Sequence, residues 1–173
     1  MIRSFPPSIE FSGWDIVNRG VGVQRAAGLV LRFQTDVINL RPTAVLIEIN
    51  QYNFRPNSSV YELQEYYSSM AQLASANGII PILTTVNPPR RDSHVFENEE
   101  YSIVDSAALL SDWVRALSVQ EAYSIADFNR AVSNSSGYIR ADLSTGQTDL
   151  NSAGYDIISE EIRIILKEIE NNL

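Results

Sequence analysis

Apolar positions along this chain follow two rhythms that take turns from one end to the other. Short, nearly continuous apolar runs alternate with stretches in which apolar residues recur every three to four positions. The first run, residues 14–18, predicts a strand, and Gly20-Val21-Gly22 predicts a turn after it. From residue 24 to 40, Leu29, Val30, Phe33, Val37 and Leu40 recur at helical spacing and predict a helix that Pro42 stops. Residues 43–49 read as a central strand covered on both faces. Glu48 lies inside that run, so it is expected to be buried and hydrogen-bonded by loop groups, a structural residue. Ser58 or Ser59 is placed to cap a helix reaching Ala76, with Leu63, Tyr66, Met70 and Leu73 as its inner stripe and Asn77-Gly78 as its stop. Residues 79–86 predict a second buried strand, with Pro81 near its start. A helix over residues 104–119 would bury Leu109, Trp113 and Leu117, and residues 123–126 form a short strand. The last helix spans residues 152–170, with Ile158, Ile162, Ile165 and Ile169 facing inward.

Repeated strand–helix order in 173 residues predicts one α/β domain over residues 1–173. Right-handed crossovers then give a flavodoxin-like three-layer α/β/α sandwich with a mostly parallel sheet. Ligands of such sheets bind beyond the carboxyl ends of the strands. That places the chemistry on the loops 19–24, 50–57, 87–100 and 143–152.

Composition narrows the chemistry. There is no Cys, which excludes a thiolate nucleophile, a disulfide framework and a Cys-based metal site. A single His excludes a zinc site built on several imidazoles, and no metal or cofactor is expected. A formal net charge of −8 argues against binding a phosphate backbone, so no nucleic-acid partner is expected. The one short basic run, Arg90-Arg91, meets Asp92 at once and reads as solvated loop charge, or else as a grip for a carboxylate or phosphate. No apolar run approaches the ~20 residues of a membrane span. The start, Met1 to Pro7, lacks the apolar stretch of a signal peptide, which implies a cytoplasmic protein if Met1 is the natural start.

The segment Thr148-Asp149-Leu150-Asn151-Ser152-Ala153-Gly154-Tyr155 resembles the final block of the SGNH (GDSL-type) ester hydrolases, Asp-x-x-His-x-Asn-x-Ala-Gly-Tyr, whose Asp and His belong to the catalytic triad. Asn18-Arg19-Gly20-Val21-Gly22-Val23 resembles the second block, where a Gly N–H helps hold the oxyanion. Val45-Leu46-Ile47-Glu48-Ile49 resembles the strand before the third block. The resemblance spans roughly residues 14–170. It implies ester hydrolysis, of acyl or acetyl groups on carbohydrates or lipids, through a Ser nucleophile and without a metal.

At the functional positions the chain departs from the pattern. Asp149 stands where the family has His, and Gly146 where it has Asp. Without gaps the oxyanion Gly falls on Val23, with Gly22 one step early, and the oxyanion Asn falls on Tyr52; one inserted residue would bring Asn53 there. Only Ser8 resembles the family's nucleophile, and the nine residues between it and Asn18 leave no room for the usual helix, so the family's first strand and helix are shortened or missing.

Three readings follow from the resemblance. In the first, a degenerate hydrolase scaffold is weak or inactive, because Asp149, with a reference pKa near 3.9, is a poor substitute for an imidazole and serves better at the start of the last helix. In the second, an active esterase uses Ser8, Asn53 and either His94 or Asp149, with Arg90 in the binding rim. In the third, the cleft holds a small ester or glycan ligand, or a partner chain, without turnover; Trp14, Tyr52, Phe54 and Tyr101 then stack on sugar rings rather than fill the core. An incomplete sheet also predicts an open strand edge, through which a homodimer would form.

Overall fold

The computed structural model describes residues 11, 13–54, 59–89, 102–145 and 150–173. Three parallel strands, β1 (Ala44–Ile47), β2 (Ile80–Thr84) and β3 (Ser124–Ala126), lie in the order β1-β2-β3. Leu46 pairs with Ile82 and Ile82 with Ser124, and one step on, Ile47 pairs with Leu83 and Leu83 with Ile125. The helices α2 (Val60–Ala76) and α3 (Ile103–Glu121) make the crossovers, preceded by α1 (Ala26–Asp36) and followed by α4 (Phe128–Val132) and α5 (Ser152–Glu170).

Side chains alternate across the strands and so build two cores. Val45, Ile47, Leu83 and Ile125 face α1, α2 and α3, where Phe33, Leu63, Tyr67, Met70, Leu110 and Val114 fill the space. Ala44, Leu46, Ile80, Ile82 and Ala126 face α5, whose Ile158, Ile162, Ile165 and Ile169 form one stripe, as their spacing predicts. The three-layer architecture is therefore the expected one.

Several details differ. Residues 14–18 form no strand; Ile16 and Val17 are 53% and 64% exposed. A strand needs a hydrogen-bonded neighbour, and no described residue pairs with the outer edge of β1 or with residues 14–18. The segment instead crosses from the α5 core, where Phe11 and Trp14 pack, to the α1 core, which Ala26 enters. The helix expected over residues 24–40 ends at Asp36, and a single 3-10 turn, Ile38–Leu40, carries the chain to Arg41 in the left-handed region before Pro42. In α2 the buried stripe is Leu63, Tyr67, Met70, Ala71 and Ala74, with Leu73 exposed; in α3 it runs through Ala107, Leu110, Ser111 and Val114, with Leu109 exposed. β1, expected to be covered on both faces, is only half-buried at Ala44, Val45 and Leu46, and among the described residues it stands at the edge of the sheet.

Candidate functional site

The carboxyl ends of the three strands open onto a rim of short polar segments. β1 stops at Ile47, two residues before the sequence pattern ends, and this changes the place of Glu48. Its side chain is exposed at the rim, contrary to the expected burial. One oxygen, Oε1, accepts a hydrogen bond from Asn87 Nδ2 at 3.3 Å. Oε2 accepts nothing from the described residues. The carboxylate reaches solvent but is ringed by protein, and this crowding, partly offset by the Asn87 bond, holds it above the usual carboxylate range. The carbonyl oxygen of the Asn87 side chain is buried without a partner among the described residues.

Beneath Glu48 the chain is pinned. Ile49, fully buried, donates its N–H to the Tyr67 hydroxyl at 3.0 Å, and that hydroxyl donates to the Thr84 carbonyl at 2.8 Å. One phenol from α2 thus ties the ends of β1 and β2 together. Burial pushes Tyr67 well above the ordinary phenol range, so it stays protonated and keeps both bonds.

Asn50 caps a 3-10 turn, Gln51–Asn53, accepting from Tyr52 N at 3.1 Å. At its end Asn53 is buried, and both ends of its amide are hydrogen-bonded. Asn53 Oδ1 accepts from Ala26 N at 2.7 Å, and Nδ2 donates to Asn50 O and Asn50 Oδ1 at 3.1 and 3.3 Å. The residue before α1, Arg25, provides no side-chain cap, so Asn53 caps that helix from 27 positions away. Phe54 is fully buried in the α1–α3 core and offers no face to a sugar; Trp14 is half-buried in the other core, and Tyr52 is half-buried on its turn.

In the Gly20–Val23 turn, Asn18 Oδ1 accepts from Gly20 N at 2.8 Å, and Gln24 N donates to Val21 O at 3.3 Å. Val23 has a φ of 63°, in the left-handed region, while Gly22 lies outside it. The backbone shape that suits glycine therefore sits at position 23, where the ungapped sequence match puts the family's glycine, and a β-branched residue occupies it. Val23 is exposed, and its N–H makes no hydrogen bond with the described residues.

At the ends of β2 and β3 the polar groups satisfy one another. Arg115 donates to both oxygens of Asp127 at 2.8 Å, Thr85 donates its hydroxyl to Asp127 Oδ1 at 2.9 Å, and Arg130 N reaches the same oxygen at 3.2 Å. Burial alone would push Asp127 up; these donors outweigh it and hold the carboxylate below its ordinary value. Beside it lies a shallow depression of about 380 Å³ lined by Asp127, Arg130, Ala131 and Glu161.

The last block gives up its structural logic as well. Asn151 Oδ1 accepts from Gly154 N at 3.0 Å and caps α5, while Asn151 Nδ2 donates to Asp142 O at 2.8 Å. A Cβ at Gly154 would come within 2.9 Å of Leu143 O and of the Leu150 side chain, so only glycine allows the helix to approach this closely. The Asn-x-Ala-Gly frame is thus a helix entry fitted against the preceding loop.

Of the residues singled out in the sequence, Tyr52 and Asn53 lie on the turn that follows β1, and Gly22 and Val23 lie on the turn that precedes α1, the helix whose first N–H Asn53 caps. Ser8, Arg90, His94, Gly146 and Asp149 lie outside the described residues, as does Tyr101. Glu48 is the rim carboxylate that the strand pattern hid; its signal is an acidic residue two positions before Asn50, which caps the turn. Among the described residues no group of three or more His, Cys, Asp or Glu could hold a metal ion. No described helix is long and apolar enough to cross a membrane.

No family model and no curated protein matches the sequence. Solved structures do match the fold. A GDSL-like lipase from Bacteroides thetaiotaomicron superposes with a TM-score of 0.76 at 24% identity, over 90% of this chain and 75% of its own. A candidate acylhydrolase from Bacteroides fragilis gives 0.74 at 25% identity, over 87% and 73%. An acetyl xylan esterase gives 0.67 at 15% identity, over 85% and 78%.

Proposed function

From a chain that has the SGNH/GDSL hydrolase fold, we propose a protein of ester-hydrolase ancestry whose serine machinery has degenerated, so that it hydrolyses acyl or acetyl esters weakly or not at all by a serine route. The observation that supports this most is the state of Asn53. An oxyanion donor must point free N–H groups at the reacting carbonyl. Nδ2 of Asn53 donates to the carbonyl and side-chain oxygens of Asn50, and its own carbonyl caps α1. Turning the amide outward would uncap that helix and strand buried polar groups. The sequence adds Asp149 in place of the family's His, a carboxylate too acidic to activate a hydroxyl near neutral pH.

The test is reaction with a fluorophosphonate probe together with turnover of p-nitrophenyl acetate. The expected result is no covalent labelling and turnover far below that of an active esterase. Rapid stoichiometric labelling of Ser8, with turnover lost in parallel, overturns the reading.

A further inference from the structure

We infer that Glu48 is a catalytic residue, the general base through which this scaffold hydrolyses esters by direct attack of water. The inference rests on the reading that the strand-end rim is an ester site whose serine route has degenerated. Its own support lies in the geometry of the two carboxylates that the strand ends place on the rim.

Asp127 is spent. Both of its oxygens are taken by Arg115, and Oδ1 also accepts from Thr85 and Arg130 N. Glu48 is the opposite case. It stands directly after the last residue of β1, where ligands of parallel sheets bind. Its side chain is exposed, Asn87 steadies Oε1, and Oε2 is left open by the described residues. The backbone behind it is fixed, because Ile49 N is bonded to Tyr67. A carboxylate that is held at one oxygen, open at the other and mounted on a rigid strand end has what a proton acceptor needs. Desolvation by the surrounding protein, partly offset by the Asn87 bond, raises its proton affinity above that of a carboxylate in water, the direction that suits a proton acceptor.

The step balances without a cofactor. Oε2 of Glu48 takes one proton from a water molecule as the water oxygen bonds to the ester carbonyl carbon. The carbonyl π pair moves onto oxygen. When the tetrahedral intermediate collapses, the bond from carbon to the alcohol oxygen breaks, and Glu48 returns the proton to that oxygen. Acid and alcohol leave, and the carboxylate is restored. A single carboxylate base makes this slow beside a serine–histidine enzyme.

The experiment measures p-nitrophenyl acetate turnover by wild type, Glu48→Gln and Glu48→Asp across pH, each with and without fluorophosphonate pretreatment. Circular dichroism confirms that the variants fold. Wild-type turnover should survive pretreatment and rise with pH as Glu48 loses its proton. Glu48→Gln should fall about 100-fold, within the range for removing a general base, and lose that acid limb. Glu48→Asp should restore the limb at an intermediate rate. Tyr67 on α2 is the described titratable group whose charge couples to Glu48; it stays protonated throughout, and the Asn87 amide does not titrate, so neither imitates the limb.

Glu48→Gln turnover within threefold of wild type overturns the inference. Loss of wild-type turnover to the fluorophosphonate overturns it together with the degenerate-serine reading. A wild type no faster than buffer overturns it while leaving that reading intact.

Discussion

Tyr67→Phe removes one oxygen atom from beneath the rim and tests how the strand ends are held. The Tyr67 hydroxyl is fully buried, accepts from Ile49 N at 3.0 Å and donates to Thr84 O at 2.8 Å. The ring stays, so packing against Trp113, whose centroid is 6.5 Å away, is kept. What changes is hydrogen bonding alone. Losing two net bonds and leaving the Ile49 N–H unsatisfied in a dry site costs about 2–3 kcal/mol. For a domain of this size that is a fall in Tm of about 5–10 °C. Urea unfolding should show a lower midpoint with an unchanged m-value, since the surface exposed on unfolding is the same. A loss under about 0.5 kcal/mol at constant m would mean that the backbone finds other partners and that the phenol does not hold the two strands together.

Val23→Gly should stabilise the protein by about 0.5–1 kcal/mol, because relief of a left-handed β-branched residue outweighs the added freedom of glycine when unfolded; thermal melts that move down instead would refute the strain. Gly154→Ala should destabilise by about 1–3 kcal/mol despite the better helix propensity of alanine, since its Cβ meets Leu143 O at 2.9 Å; chemical denaturation reads this, and a gain in stability would show that the loop yields. Asp127, held below its ordinary value, lends stability above the unfolded-state pKa near 3.8 that is lost as pH falls through the folded value. Arg115→Gln should therefore flatten the acid side of the stability–pH curve; an unchanged slope below pH 4 speaks against the pair. Glu48, held above its ordinary value, works in the other direction, and its stability contribution falls as pH rises past about 4.5. Glu48→Gln should then be the more stable protein near neutral pH, and equal stabilities at pH 5 and pH 8 relative to wild type would refute that.

Legibility in the sequence followed how local each constraint is. The stripe of α5 was plain, since isoleucine at every third or fourth position meets one flat sheet face. In α2 and α3 the buried stripe is rotated from the one the large apolar residues mark, because Ala71, Ala74 and Ala107 are buried; close helix–sheet approach favours small side chains. Residues 14–18 have the composition of a strand, yet a strand is a property of a pair. Glu48 was misplaced by two residues of strand length. The Asn53–Ala26 bond joins positions 27 apart, and no local pattern reveals such a cap. The conformation of Val23 was foreshadowed only by the family frame, in which a glycine belongs there.

The placement of α5 also bears on synthesis. It supplies the main cover for one whole face of the sheet, including Leu46, Ile80, Ile82 and Ala126, yet it comes after every strand in the chain. On a ribosome adding about 5–20 residues per second, that greasy surface stays wet until residues 152–170 have cleared the exit tunnel. During that interval the nascent chain is a natural client for a chaperone that shields apolar sheet surface, and nonsense truncation before residue 152 should send the product to proteolysis rather than to a shortened fold.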